Sequence, residues 1–155
     1  RQFKLSPPMN TVFAAKDPEF QDRVRKSFAD QAVMETLGAS IATLEAGEIA
    51  IDFPYHQKFT QQNGFIHAGI VSTILDSACG YAAFSLMPAE ASVLTIEFKI
   101  NLLAPASGER FRAVGKVKKP GRSITVSEGE FFACSGKGEK LVATMTGTLM
   151  AVYHV

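Results

Sequence analysis

The chain has 155 residues, of which 46% are hydrophobic and 20% charged, and its formal net charge is +1. A chain of this length fits one domain with a substantial core, and the composition is that of an ordinary globular protein. The nearly neutral charge gives no support for nucleic acid or an anionic membrane surface as a partner.

Hydropathy indicates that the chain does not span a membrane, and cysteine usage indicates a reducing compartment. No apolar run approaches the ~18 to 20 residues of a membrane-spanning helix, and the N-terminus shows no secretory signal. The two cysteines, Cys79 and Cys134, lack metal-ligand spacing and do not suggest a disulfide framework. We therefore expect a cytoplasmic protein that is not inserted in a membrane.

The first 40 residues are predicted to form an arm and an amphipathic helix outside the main body of a single domain, which takes residues 41–155. Residues 1–16 have the mixed polarity of a loose arm. Asp17-Pro18 is typical of a helix start, and Gly38 of a helix end. One apolar stripe is formed by Phe20, Val24 and Phe28.

Two strands, a loop and a long helix are predicted next. A turn at residues 45–48 joins two extended segments, and residues 56–64 form a polar loop that ends in Asn63-Gly64. The following run to Pro88 is too long for a strand and is apolar on most faces, which is typical of a buried helix.

The remaining residues alternate as strands joined by short turns, which predicts an antiparallel meander and five or six strands in all. In "SVLTIEFKINLL", Leu94 and Phe98 are predicted on one face, with Thr95 and Glu97 on the other. The sum is an α+β fold in which an antiparallel sheet curves around one long central helix, with an extra N-terminal helix.

An acid, Asp76, lies inside the apolar helix. Ser72 and Thr73 share its helical face, which makes a narrow polar stripe. Asp76 is either a structural carboxylate, capped by these hydroxyls or paired with a lysine or arginine of the sheet, or a general base or nucleophile in a partly dry site. The residue pattern alone leaves both interpretations open.

The start of the same helix is a second candidate. The backbone amides of Ala68 and Gly69 lie in the first turn, where they have no intrahelical acceptor and can stabilise a developing oxyanion. His67 precedes them as either a structural cap or a catalytic side chain. Ala68 and Asp76 are about 12 Å apart along a helix at ~1.5 Å per residue. The carbonyl group of one substrate therefore cannot easily contact both the Ala68 amide and the Asp76 carboxylate of the same chain. If both groups are catalytic, we expect a two-fold dimer with antiparallel central helices, in which the amide of one chain and the acid of the other form a shared site.

A family resemblance favours catalysis. The stretch "QQNGFIHAGIVSTILDSACGYAA" and the strands after it, within residues 40–152, resemble hotdog-fold acyl-CoA thioesterases of the phenylacetate-pathway (PaaI-like) type. That family typically shows an asparagine or glutamine loop, then His-Gly-Gly, an aspartate and a late Gly-Arg. Here Ala68 replaces the first glycine, which keeps the amide but narrows the approach to it.

The resemblance implies roles for particular residues. Asp76 would activate water or attack the thioester directly, Gln61 or else Asn63 would orient the water, and Thr95 would supply a hydroxyl. Coenzyme A, as part of the substrate, would meet a basic turn, although a solvated hairpin explains that turn equally well. The turn consists of Lys118, Lys119, Gly121 and Arg122.

No separate cofactor or metal is expected, because no phosphate-binding glycine pattern and no metal-ligand spacing occurs. We expect a homodimer or a tetramer made of two dimers. An apolar channel for the acyl group is predicted along Ile70, Ile74 and Phe84. Two alternatives stay open: a non-catalytic acyl-CoA-binding module, and a hydratase or dehydratase with the same fold.

Overall fold

The computed structural model of the chain describes residues 12–153. Within this range the structure confirms the α+β class, since an antiparallel sheet wraps around one long helix. The prediction of a loose arm at residues 1–16 lies mostly outside the described residues, and the division of the domain after residue 40 stays a prediction. The elements are α1 (Phe20–Asp30), α2 (Ala32–Leu37), β1 (Ser40–Glu45), β2 (Glu48–Pro54), α3 (Ala68–Phe84), β3 (Ala91–Leu102), β4 (Arg110–Lys119), β5 (Ile124–Ser135) and β6 (Gly138–Tyr153), with a 3-10 turn at Gln57–Phe59.

The six strands lie in the order β1-β2-β4-β5-β6-β3. A meander is therefore correct for β4, β5 and β6 but wrong for β3, which pairs with β6 at the far edge of the sheet. The chain leaves β2 and crosses one face of the sheet as α3. It then returns along the opposite edge, so α3 and β3 lie side by side.

The central helix lies directly on the sheet. A Cβ atom at Gly115 of β4 would lie 2.2 Å from the carbonyl oxygen of Ala78. A Cβ atom at Gly129 of β5 would lie 3.0 Å from the Sγ atom of Cys79. Only glycine permits the approach at Gly115, and a side chain at Gly129 would crowd the helix. These contacts fix the rotation of α3, and with it the direction in which Asp76 points.

The predicted N-terminal helix is in fact two helices, and it begins at Phe20 rather than at Pro18. A continuous helix would turn Leu37 about 140° away from Val24, at about 100° per residue. Both side chains are buried, so the break at Gln31 rotates α2 until its apolar side also faces the core. The predicted end at Gly38 is confirmed, since Gly38 adopts a left-handed φ of 63°.

Candidate active site

The Asp76 carboxylate is held by one hydroxyl group. Thr95 Oγ1 donates a hydrogen bond of 2.8 Å to Asp76 Oδ1. The hydroxyls of Ser72 and Thr73 do not cap the acid, because they donate to the carbonyl oxygens of Ala68 and Gly69. Within residues 12–153 no lysine or arginine forms an ion pair with Asp76. The structural roles considered for this acid are therefore absent, and Oδ2 stays available to a ligand.

A β-bulge turns Thr95 toward this acid. Thr95 lies opposite Leu149 of β6, whereas Glu97 lies opposite Thr148, so Ile96 is an extra residue in the strand. Strict alternation would place Thr95 on the outer face of the sheet with Glu97. The predicted alternation is therefore wrong across the bulge, because the extra residue shifts the phase of the strand.

The start of α3 offers one free amide. His67 is the N-cap residue, and its Nδ1 atom accepts a hydrogen bond of 2.8 Å from the amide of Gly69. The amide of Ala68 makes no hydrogen bond within the described part of the chain. Of the two amides expected at this site, only that of Ala68 can therefore donate to a substrate while the cap is in place.

Gln61 and Ala68 line the same pocket. This pocket has a volume of about 340 Å³ and is also lined by Phe65, Val71 and Leu102. The Oε1 atom of Gln61 accepts a hydrogen bond from the amide of Asn63, whereas the Asn63 side chain is exposed. The structure thus brings Gln61, and not Asn63, beside the free amide.

Asp76 opens into a different cleft, of about 170 Å³. Strand β3 connects the two spaces, since Val93 and Thr95 line the Asp76 cleft and Leu102 lines the pocket at the helix start. One chain therefore presents its acid and its free amide at two separate places, about two turns apart on α3.

Comparison with known proteins identifies the family. Residues 63–139 match the model of the thioesterase superfamily. A crystal structure of a thioesterase family protein from Silicibacter pomeroyi is 56% identical and covers 87% of this chain and 99% of its own, with a TM-score of 0.86. The chain belongs to the thioesterase superfamily.

Two further structures share the fold of this thioesterase. A Staphylococcus aureus protein, solved with a glutamate replaced by alanine, is 25% identical, covers 79% of this chain and 99% of its own, and has a TM-score of 0.73. The PaaI protein of the Escherichia coli phenylacetic acid degradation operon is 18% identical, covers 86% of this chain and 94% of its own, and has a TM-score of 0.78. The predicted hotdog fold is confirmed, and the family supports thioester hydrolysis in general.

Cys79 lies three residues after Asp76 on α3, but its thiol is buried against the sheet. Burial, with smaller contributions from Asp76 and Glu128, raises the pKa of the Cys79 thiol to about 12. A thiol with this pKa is protonated near neutral pH, and the nucleophilic form of cysteine is the thiolate. Cysteine chemistry is therefore not available to this thioesterase at Cys79.

The basic turn lies between β4 and β5. Lys118, Lys119 and Arg122 are all exposed. The Lys118 Nζ atom lies 3.5 Å from Glu128 Oε2. Gly121 is required there, because a Cβ atom would lie 2.1 Å from the carbonyl oxygen of Ile124. Gly121 and Arg122 border a small groove with the residues that follow α3, so the turn lies outside both spaces described above.

The structure contradicts the predicted acyl channel at Ile74 and Phe84, whereas Ile70 is half-buried and its place in such a channel stays a prediction. Ile74 is fully buried and Phe84 is 6% exposed, because the helix face that carries them packs into the core. Sequence reasoning did not assign Ser77, Gly80, Tyr81 or Val93 to the Asp76 cleft. It also missed the two lining residues from the N-terminal segment, Ser27 and Gln31. No motif marks them, and the helix break at Gln31 has no proline or glycine to signal it.

In the range 12–153, no group of three or more histidine, cysteine, aspartate or glutamate side chains is arranged to hold a metal ion. None of the helices that the structure describes has the length and apolar character needed to cross a membrane.

Proposed function

We propose that this thioesterase hydrolyses acyl-CoA thioesters, with Asp76 as the general base or nucleophile. The Asp76–Thr95 pair carries the proposal: Thr95 Oγ1 donates a hydrogen bond of 2.8 Å to one carboxylate oxygen of Asp76, and Asp76 lines a cleft. A carboxylate oriented in this way can take a proton from water or attack the thioester carbonyl carbon. Other residues of the motif would then support the reaction from the helix start.

The amide of Ala68 is the proposed oxyanion donor. It lies at the positive end of the α3 dipole and is free, whereas the amide of Gly69 is bonded to His67. His67 therefore serves as the cap that fixes the first turn, and its removal would release the Gly69 amide as well. This assignment keeps one donor for the carbonyl oxygen of the substrate.

Gln61 is the proposed water-orienting residue. Its amide nitrogen makes no hydrogen bond within the described residues, and its side chain lines the pocket of Ala68. Separate structures of the Staphylococcus aureus protein replace a glutamine and a glutamate that are as far apart in sequence as Gln61 and Asp76. This equal spacing supports Gln61 over Asn63.

A dimer would bring the two half-sites together. One edge of β3 pairs with β6, and no described strand covers the other. This strand also carries apolar side chains that are 43–56% exposed, namely Leu94, Ile96, Phe98 and Leu102. An open apolar edge is a template for pairing with another strand. We therefore infer that two copies pair along β3.

The register of such a pair supports a shared site. If two β3 strands pair antiparallel about an axis at Phe98, Leu102 of one copy lies opposite the segment around Leu94 of the other, within the one-residue shift that the bulge at Ile96 introduces. Leu102 lines the pocket of Ala68, and the neighbour of Leu94, Thr95, bonds Asp76. The amide of one copy would then approach the acid of the second copy, which the separation within one chain prevents.

The binding site for the coenzyme A part of the substrate is proposed from the charge of the exposed side chains. The exposed side chains of Lys119 and Arg122, with Lys118 and Gly121, are proposed to bind the phosphates of coenzyme A. The cytoplasmic location and the pairing of dimers into a tetramer stay predictions. Both cysteines are buried free thiols, which is compatible with a reducing compartment.

Asp76→Asn tests the catalytic assignment. The substitution keeps the shape of the side chain but removes the base. We expect kcat/KM for thiol release from a panel of acyl-CoAs to fall by at least about 100-fold, the lower end of general-base effects. Asp22→Asn is the matched control, since Asp22 is exposed on α1.

Three outcomes separate the alternatives. Unchanged thiol release by Asp76→Asn would contradict the role of Asp76. Binding of acyl-CoAs by the wild type without thiol release would favour a binding module. Loss of the enoyl absorbance of an unsaturated acyl-CoA, again without thiol release, would favour a hydratase.

A further inference from the structure

The N-terminal helices form one wall of the Asp76 cleft. Gln31, at the break between α1 and α2, and Ser27, on α1, line this cleft together with Asp76, Tyr81 and Thr95. These two residues precede the part of the chain that carries the thioesterase motif. The wall they form can therefore differ between proteins that share the same catalytic residues.

Gln31 has a free hydrogen-bond donor at this wall. Its Oε1 atom accepts a hydrogen bond of 3.1 Å from Ser77 Oγ, on the residue that follows Asp76. Its Nε2 atom makes no hydrogen bond within residues 12–153. The Ser77 bond holds the Oε1 end of the amide, which leaves the Nε2 donors available at the cleft that Gln31 lines.

The rest of the wall is also polar. Ser27 Oγ and the Tyr81 hydroxyl lie 3.3 Å apart and hydrogen-bond to each other. Gly80 leaves space one turn after Asp76, because a Cβ atom there would have no neighbour within 4 Å. An unsubstituted alkyl group entering this space would cover the Nε2 group of Gln31 without giving it an acceptor, which is costly once water is displaced.

The cleft limits the size of its occupant. Its volume is about 170 Å³, and an engineered protein cavity of about 150 Å³ is known to hold benzene. A group of about six carbon atoms therefore fills the space next to Asp76. A longer chain would have to leave the cleft through its open side.

We propose that Gln31 is a specificity-determining residue, whose Nε2 atom donates a hydrogen bond to an oxygen on the acyl group. The enzyme then favours short acyl groups that carry a hydroxyl or carbonyl oxygen over alkyl groups of the same length. This assignment rests on the proposed acyl-CoA hydrolysis at Asp76. One neutral hydrogen bond corresponds to a preference of about tenfold in kcat/KM.

The test compares matched pairs of substrates. Thiol release is measured with butanoyl-, hexanoyl- and octanoyl-CoA and with their terminally hydroxylated counterparts, which place the oxygen at three distances from Asp76. The ratio of kcat/KM within each pair is the readout, because a general loss of activity cancels in it. We expect the wild type to favour the hydroxylated member about tenfold for at least one chain length.

Three variants separate donation from a structural role. Gln31→Leu removes the donor and should bring the ratio close to one. Gln31→Glu keeps an acceptor for Ser77 Oγ but has no N–H group, so it should lose the preference for substrates that carry a ketone oxygen in place of the hydroxyl group, since a ketone can only accept a hydrogen bond. Gln21→Leu is the matched control on α1, where the Gln21 amide bonds the carbonyl of Leu44, and it should keep the wild-type ratio.

The outcomes distinguish this proposal from the one on which it rests. Thiol release by the wild type without any preference, or a preference that Gln31→Leu retains, would overturn the role of Gln31 and leave the hydrolase assignment standing. A preference for the ketone substrates that Gln31→Glu retains would overturn donation by the amide. Absence of thiol release from every substrate with the wild type would overturn both proposals.

Discussion

Asp76 and Cys79 show how position on one helix decides what a side chain can do. The two residues are three positions apart on α3, yet Asp76 meets a cleft and a hydroxyl, whereas Cys79 meets the backbone of the sheet at Gly129. The acid therefore keeps a free acceptor for chemistry. The thiol is a small apolar group of the core with a pKa raised to about 12.

The burial of the Cys79 thiol predicts that the stability of the protein depends on pH. The ordinary pKa of 9.0 applies in the unfolded chain, and the folded value is about 12. Above pH 9 the unfolded chain releases a proton that the folded chain retains, so stability is lost as pH rises from 9 toward 12. By pH 10, the contribution of Cys79 to the free energy of unfolding should have fallen by about 1 kcal/mol.

Urea denaturation at pH 8 and pH 10, with a reducing agent, measures this effect. The comparison variant is Cys79→Ala, which should lose about 1 kcal/mol less than the wild type between the two pH values. Cys134 is present in both proteins, so its own titration cancels. An equal loss in both proteins would show that Cys79 titrates normally in the folded state.

The sequence predicted only part of the site at this scale. Asp76 and Ala68 were found because their spacing along a helix is fixed by the sequence. The direction of Thr95 depends on a bulge, which is set by pairing with β6 and leaves no local pattern. The loss of the Gly69 amide to His67 follows from the cap geometry, and Gln31 reaches the cleft only through tertiary packing.

At the scale of elements, Arg23 joins α1 to the end of α3. Its Nε atom is 2.8 Å from Asp17 Oδ2, and its guanidinium carbon is 4.2 Å from the centre of the Phe84 ring. A cation at the C-terminus of a helix is favourable, since the carbonyl oxygens there lack intrahelical donors. The guanidinium also donates to the carbonyl oxygens of Phe84, Met87, Pro88 and Ala91.

Arg23→Met should therefore be strongly destabilising. It removes the cation from four carbonyl oxygens and leaves Asp17, whose side chain is 8% exposed, without its ion-pair partner. Loss of one partner of a buried pair costs about 3 kcal/mol or more. Urea denaturation followed by circular dichroism measures it, since the chain has no tryptophan.

The matched control is Arg25→Met on the same helix. Arg25 is exposed, so its replacement should change the free energy of unfolding by less than about 0.5 kcal/mol. Equal effects of the two substitutions would show that α1 does not anchor the end of α3. The apolar stripe of α1 predicted that the helix packs on the core, but it gave no indication of this anchor.

At the scale of the whole molecule, the alternation of residues predicted the curved sheet and the central helix, because both follow from local periodicity. The place of β3 in the sheet was not predicted, since strand order depends on how α3 crosses the sheet. That place is important for function. A strand at the edge leaves its apolar side chains exposed, and it connects the acid of one half-site to the amide of the other.

The open edge predicts that a charge at Phe98 separates the proposed dimer. Phe98→Glu places a carboxylate near the two-fold axis, where the two copies would repel each other and desolvate the charge. We expect a monomer by sedimentation and a loss of thiol release of at least about 100-fold, since each site then lacks its amide. Val33→Glu is the matched control, because Val33 is 40% exposed and Phe98 is 43% exposed. A monomer with full activity would contradict a shared site.

Mixing two inactive variants tests the sharing directly. Asp76→Asn removes the acid, whereas Ala68→Pro removes only the amide hydrogen, because proline is favoured at the first position of a helix. His67 already has the extended ψ of 139° that a following proline requires. In a mixed dimer, one of the two shared sites would combine the intact acid of one chain with the intact amide of the other. Unfolding and refolding an equimolar mixture should therefore restore about a quarter of wild-type activity, since half of the dimers are mixed. A site contained within one chain predicts no recovery, because neither chain then has both groups.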